Sequence, residues 1–261
     1  MEIIGYIASV FIGLSLGLIG GGGSILTVPL LAYLFGIEPT TATSYSLFIV
    51  GSASLIGAWR NYNKGYVDIK TSLLFGVTSV TTVFLTRKFI IPIIPEHIAS
   101  IGSFDINRSL LTMVLFAILM LLASIKMIKG GKTVEHFDNK TSIGMLVLYG
   151  IGIGLVTGFL GAGGGFLIIP ALIFFVGLNM KTAIGTSLSI IALNSLIGFT
   201  GDIGNIAIDW VFLLTITAIS IIGIFIGIQM GKKIEGAKLK KGFGWFVLIM
   251  GVYIIIKEII M

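Results

Sequence analysis

The sequence contains no cysteine, which excludes disulfides, thiolate metal sites and cysteine nucleophiles while saying nothing about compartment. Charge is scarce too. Only 11% of the 261 residues are Asp, Glu, Lys or Arg, against about 25% in a typical soluble domain. The two histidines, His97 and His136, stand apart in polar stretches with no second ligand at metal spacing, so no metal site is expected. There is no Ser-His-Asp order, no HExxH and no carboxylate pair inside an apolar run, and neither glycine-rich stretch carries the Gly-Lys-Ser/Thr of a phosphate loop. Neither an enzyme nor a cofactor is expected.

What fills the chain instead is apolar: 56% of residues are hydrophobic and the mean hydropathy is +1.10. Apolar runs recur near 3–19, 24–36, 41–58, 70–86, 109–128, 143–160, 164–178, 182–200, 210–229 and 243–260. A bilayer crossing needs about 20 residues, and only the second and seventh runs are clearly short. The expectation is an all-α polytopic membrane protein, one transmembrane domain over 1–261 with no soluble module. The opening "MEIIGYIASVFIGL" has no basic leader and carries Glu2, so the first span is expected to be retained. The net charge of +6 points to loop placement of Lys and Arg, not to nucleic acid. Membrane lipid and a small solute are the expected partners, and a homo-oligomer is compatible with the sequence.

The two halves repeat each other. Residues 13–57 lie over 154–198 without a gap at an offset of 141, and the matches are not generic leucines. Gly13, Gly17, Gly20, Gly22, Gly23, Pro29, Gly36, Thr41, Ala42, Ser46, Ser54 and Gly57 fall on Gly154, Gly158, Gly161, Gly163, Gly164, Pro170, Gly177, Thr182, Ala183, Ser187, Ser195 and Gly198. Asp68 falls on Asp209. The reading is repeat 1 over about 1–128, a cytoplasmic linker at 129–142 and repeat 2 over about 143–261.

Charge decides the expected topology. If all ten runs cross, thirteen Lys and Arg share one face and only Arg87, Lys88, Arg108 and Lys257 lie on the other. If the short runs dip in and return, the charges split almost evenly, against the positive-inside bias. Five crossings per half then make the second half upside down, with both termini outside. A run of about 13 residues spans only some 20 Å as helix, so the short runs are expected to be half-helices completed by irregular backbone.

Both short runs follow glycine clusters, "GLIGGGGSILTVP" and "GFLGAGGGFLIIP". Glycines spaced by four, such as Gly13–Gly17, Gly150–Gly154–Gly158 and Gly223–Gly227, are assigned to close helix packing. Adjacent glycines exceed what packing needs. They fit a broken helix near the midplane, whose freed N–H groups and restarting N-terminus hold an anion. Candidate site residues are therefore Gly20, Gly22, Gly23, Gly161, Gly163 and Gly164, with the neighbouring hydroxyls of Thr41, Ser44, Ser46, Thr182, Thr186 and Ser187. The competing reading of each hydroxyl is capping or bonding to its own helix. A site of amides and hydroxyls avoids burying a lysine or arginine.

The doubled pattern Gly-x-x-Gly-x-Gly-Gly, then Pro, then Thr-Ala-x-x-x-Ser-Leu, resembles the sulfite exporter TauE/SafE family of prokaryotic membrane permeases, over nearly the whole chain. The resemblance implies a multi-pass permease of the cell membrane, with efflux of sulfite or small organosulfonates as its activity. It implies that Gly20, Gly22, Gly23, Gly161, Gly163, Gly164, Thr41, Ser46, Thr182 and Ser187 matter. Pro39 and Ser44 stand where the second half has Met180 and Gly185, so the half-sites differ.

Among polar outliers, Glu38 and Lys181 are read as interfacial anchors, Asp68 and Asp209 as helix caps, and Asn194 and Gln229 as bonding between helices. The 230–241 stretch is read as a cytoplasmic charge run beside anionic lipid. The expected function is a secondary transporter exporting a small anion from the repeat interface. Two alternatives stay open: a cation or metal transporter, weakened by the absence of an evident buried Asp, Glu, His or Cys, and a non-transporting scaffold or assembly subunit.

Overall fold

Each apolar run folds as a helix within a few residues of where it was read. The computed structural model describes residues 2–21, 23–101, 104–129, 143–161, 163–174, 176–230 and 236–260. The first half carries α1 (Glu2–Ile19), α2 (Ser24–Leu34), α3 (Pro39–Tyr62), α4 (Ile69–Leu85), a π turn (Thr86–Ile90), α5 (Ile91–Ile93) and α6 (Arg108–Lys129). The second carries α7 (Ile143–Leu160), α8 (Gly165–Phe174), α9 (Met180–Asp202), α10 (Trp210–Met230) and α11 (Gly236–Ile260). Among the described residues, Pro39–Tyr62, Ile69–Ile93, Met180–Asp202 and Trp210–Met230 are long and apolar enough to cross a membrane. Large apolar side chains such as Val211, Leu148, Trp59 and Ile249 are exposed on the helix bundle, which suits a lipid surface and not water.

Three details depart from the sequence reading. Residues 97–107 form a small antiparallel hairpin, β1 (His97–Ile101) with β2 (Phe104–Asn107). The helix begun by α4 also runs on past 86 through the π turn. Ile91 donates its N–H to Thr86 O, five residues back. Pro92, which has no N–H to give, follows at once. Finally, α11 starts at Gly236 inside the stretch read as a loop. The linker residues 130–142, with His136, and residues 231–235 lie outside the described residues.

The caps are where the repeat placed them. Asp68 Oδ1 accepts from Thr71 N–H at 2.8 Å, and Asp209 Oδ1 accepts from Phe212 N–H at 3.0 Å. Glu38 likewise accepts from Thr41 N–H, and Asn179 from Thr182 N–H, each at 3.0 Å. Each carboxylate or amide oxygen satisfies one of the orphan donors that open a helix.

Packing follows the same offset of 141, and it does so across the halves. α1 packs on α10, and α7 packs on α4. A Cβ on Gly13 would meet Ser220 O and, at 2.7 Å, Ile224 N; one on Gly154 would meet Ser79 O at 2.7 Å. Asp68 donates its N–H to Thr186 Oγ1 at 2.9 Å, and Asp209 donates to Tyr45 Oη at 2.7 Å. Residue i touching partner j, with their counterparts touching in exchange, is the signature of a two-fold relation. The glycines spaced by four serve helix contact, as read.

The contacts also fix depth. Glycine at position 23 places its main chain against the middle of α1, where a Cβ would lie 2.6 Å from Ser15 Oγ and 2.7 Å from Leu16 Cγ. Gly5, near the start of α1, lies against the ring of Phe35, just past the end of α2. So the chain runs down α1, turns back to half depth, and α2 climbs to the level where α1 began. Its 11 residues rise about 16 Å, about half of a 30 Å hydrocarbon core. α8, with 10 residues, restarts beside Thr157 in α7 in the same way. α3 and α9 cross beside the breaks: a Cβ on Gly51 would lie 3.0 Å from Leu196 N, and one on Gly163 would lie 3.0 Å from both Val50 and Ile191.

Candidate glycine-break site

Both quadruplets interrupt their helices. α1 ends at Ile19 and α2 starts at Ser24; α7 ends at Leu160 and α8 starts at Gly165. Gly20, Gly161, Gly163 and Gly164 have φ of +79°, +64°, +63° and +67°, a region costly for residues with a Cβ. Gly23 departs from its counterpart Gly164, with φ of −71°. Gly22 lies outside the described residues. The two breaks meet main chain to main chain: a Cβ on Gly21 would stand 2.5 Å from Gly165 C, and one on Gly165 2.5 Å from Gly21 Cα.

Restarting at half depth leaves the first-turn N–H groups of two helices inside the protein. No side chain caps α2, and neither α2 nor α8 has an acidic residue in its first turn. The partial positive charge of the α2 N-terminus therefore meets neither a side-chain cap nor a first-turn acid.

Helices α3 and α9 bury polar side chains that are underbonded. Ser46, Ser54, Asn194 and Ser195 are fully buried, yet Ser46 Oγ, Ser54 Oγ, Ser195 Oγ and Asn194 Nδ2 have no partner. Asn194 uses only its Oδ1, accepting from Ser79 Oγ at 2.9 Å, and so bonds α9 to α4 as read. Ser195 Oγ faces the second break, 2.9 Å from where a Cβ on Gly163 would stand; Val50 and Ile191, repeat counterparts near the middles of α3 and α9, flank it. Each unmet buried polar atom costs about 1–3 kcal/mol, so these four call for water or a solute to meet them.

The sequence-read hydroxyls divide. Ser187 belongs to the first break, donating to Gly20 O at 3.3 Å and to Ile184 O at 2.8 Å. Ser46, its counterpart, is buried and unpartnered. Thr186 is committed to Asp68 N–H. Thr41 and Thr182 sit in the first turns of α3 and α9, where their amides are capped, and they are not brought to the breaks. Ser44 joins a different group. Its Oγ donates to Asp202 Oδ2 at 2.5 Å and accepts from Arg87 Nη1 at 3.4 Å.

That group corrects the expectation that no arginine or carboxylate is buried. Arg87 Nη1 pairs with Asp202 Oδ2 at 3.1 Å, their side chains 2% and 6% exposed, and also donates to Thr43 Oγ1 at 3.0 Å. The sequence reading had set Arg87 in a surface loop, because the helix was expected to stop at 86. The cation alternative regains a buried carboxylate, but one already held by Arg87 and Ser44.

Comparison with known proteins agrees with this architecture. The family model for the sulfite exporter TauE/SafE matches residues 6–254. A "Probable membrane transporter protein" of Xylella fastidiosa (strain 9a5c) is 31% identical over 251 residues, covering 94% of this chain and 91% of the relative. "Probable membrane transporter protein YdhB" of Bacillus subtilis is 26% identical, covering 88% of this chain and 90% of its own. A probable membrane transporter protein of Methanocaldococcus jannaschii is 26% identical, covering 97% and 94%. No solved structure matches the chain. With the family model matched over nearly the whole chain and a relative 31% identical over 94% of it, the chain is a multi-pass membrane protein that belongs to the sulfite exporter TauE/SafE family of membrane transporters.

Proposed function

We propose that the chain is a secondary transporter that exports a small oxyanion, sulfite or an organosulfonate, through a site at the repeat interface beside its two glycine breaks. The observation that carries this reading is the set of buried, unpartnered groups of Ser46, Ser54, Ser195 and Asn194 on α3 and α9, with Ser195 at the second break and no side-chain cap on α2. Each of these side chains can donate, and the α2 N-terminus adds a dipole-positive end, which suits a negative solute. Gly20, Gly22, Gly23, Gly161, Gly163 and Gly164 supply main chain to the site, with Ser46 and Ser187 beside them. Thr41 and Thr182 act through the caps that orient α3 and α9.

In this reading the repeats, 1–128 and 143–261 around a cytoplasmic linker 129–142, are inverted in the membrane with both termini outside. Three contacts support one face for the N-terminus, the α2–α3 loop, the start of α6 and the C-terminus. Tyr6 stacks on Phe35, Ser109 Oγ donates to Glu38 Oε1 at 2.6 Å, and Tyr33 Oη donates to Glu258 Oε1 at 2.8 Å. Alternating access would rock one bundle against the other about the crossing of α3 and α9. An inside-negative potential alone favours anion efflux, by about 2.3 kcal/mol per charge per 100 mV.

Flux of sulfite, sulfoacetate, thiosulfate, sulfate and chloride from proteoliposomes tests this. Sulfur oxyanions are expected to move, and Ser195→Ala is expected to weaken their binding by about 1 kcal/mol. Absence of anion flux under any gradient refutes the reading, and flux of metal ions alone would favour the cation alternative.

A further inference from the structure

The donors gathered so far are neutral, while a fully buried cation lies next to the second break with part of its valence unused. Arg87 uses only Nη1, on Asp202, Thr43 and Ser44. Its Nε and Nη2 are buried without a partner. Those two groups form the edge of the guanidinium that presents parallel N–H bonds, the geometry that matches two oxygens of one oxyanion. The edge lies against the break itself: a Cβ on Gly161 would stand 2.6 Å from Nη2. Glycine at 161 therefore leaves the edge facing bare main chain, just before α8 restarts.

We propose that Arg87 is the charged anchor of the substrate, binding two oxygens of an oxyanion along its Nε–Nη2 edge at the α8 break while Asp202 holds the opposite side. This inference rests on the anion reading above and adds the ligand's shape to it. A sulfite, sulfonate or carboxylate group offers two oxygens to the edge, and a halide offers one point. The anchor exists at one break only. The counterparts of Arg87, Asp202 and Ser44 are Ile228, Asn61 and Gly185, so the first break contributes amides and hydroxyls without charge. Asp202 competes with the solute for the same cation at 3.1 Å, so removing its charge strengthens anion binding.

Binding of methanesulfonate and chloride to the purified full-length chain in lipid nanodiscs, read by titration calorimetry, tests the assignment. Arg87→Lys keeps the charge and loses the fork. It is expected to bind methanesulfonate at least tenfold more weakly, about 1.4 kcal/mol, with chloride binding little changed. Asp202→Asn is expected to bind methanesulfonate at least threefold more tightly. Where either single variant fails to fold, the double variant R87Q/D202N removes both charges and leaves no unpaired buried ion; it is expected to fold and to bind at least tenfold more weakly than the wild type. Wild-type affinity in Arg87→Lys or in the double variant overturns the assignment, as does an unchanged or weaker affinity in Asp202→Asn. Those results leave the transport reading standing if the wild type still binds and moves sulfonates. A wild-type chain that binds and moves no anion overturns both.

Discussion

Replacing Gly21 with alanine tests the contact on which the breaks depend. Gly21 is not among the glycines with positive φ, so alanine brings no backbone strain and the effect is steric. Its Cβ would sit 2.5 Å from Gly165 C and O, where ordinary contact begins at 3.4 Å. The obstructing atoms are main chain, which cannot rotate aside as a side chain would. The two breaks must separate, at the cost of overpacking, about 1–3 kcal/mol. For a chain of this size each kcal/mol shifts the melting temperature by about 2–4 °C, so Gly21→Ala is expected to melt roughly 2–12 °C below the wild type. Gly152→Ala is the control: nothing lies within 4 Å of its Cβ position, and it gains helix propensity worth about 1 kcal/mol at most. Intrinsic tryptophan fluorescence during heating in detergent measures both, and proteoliposome flux reports whether transport survives the separation. Equal melting temperatures and equal flux for the two variants would refute the argument that the breaks are packed main chain to main chain.

Two further outcomes follow from the caps. Burial raises the half-exposed Glu38 carboxyl, but hydrogen bonds from the hydroxyls of Ser109 and Thr40 and the amides of Thr40 and Thr41 lower it more, leaving it below the usual range. A depressed folded pKa gives stability that is present above the unfolded value of about 4.3 and lost as pH falls through the folded one. Wild-type melting temperature should therefore drop on acidification below about pH 5 more steeply than that of Glu38→Gln; parallel curves would remove Glu38 from the account. Asp68→Ala should cost about 1 kcal/mol through the lost cap on Thr71, measured by the same melting assay, and a neutral result would mean that water replaces the cap.

The sequence made the helices legible because lipid imposes long apolar runs, and the repeat made the breaks legible because glycine and proline recurred in register. Capping was readable for the same reason: Asp68 and Asp209 stand one residue before their helices in both halves. Burial on the far side of a local irregularity was not readable. The π turn at Thr86–Ile90 carries Arg87 into the interior although Lys88, Phe89 and Ile90 beside it are exposed. An apolar-run boundary drawn at 86 turns all of them into loop. The β1–β2 hairpin was missed at the same place, since it follows the same misplaced end.

The hydroxyls picked out by the repeat do not all gather at the breaks, and the reason is physical. Positions alike in both halves include those the two-fold contacts require: close-packed glycines and the caps Asp68 and Asp209, which meet the unlike counterparts Thr186 and Tyr45. Thr41 and Thr182 match because both open a helix. On the anion reading proposed above, the solute's charge needs a single anchor, and one doubled by symmetry would bury a second arginine at a large desolvation cost. The ionic group therefore falls where the halves disagree, at Ser44 against Gly185, Arg87 against Ile228 and Asp202 against Asn61. Even there the geometry keeps the repeat: Gly185 lies against Asn61 as Ser44 lies against Asp202. In a chain built by duplication, the shared residues hold the scaffold, and charge enters at positions where one copy has departed from the other.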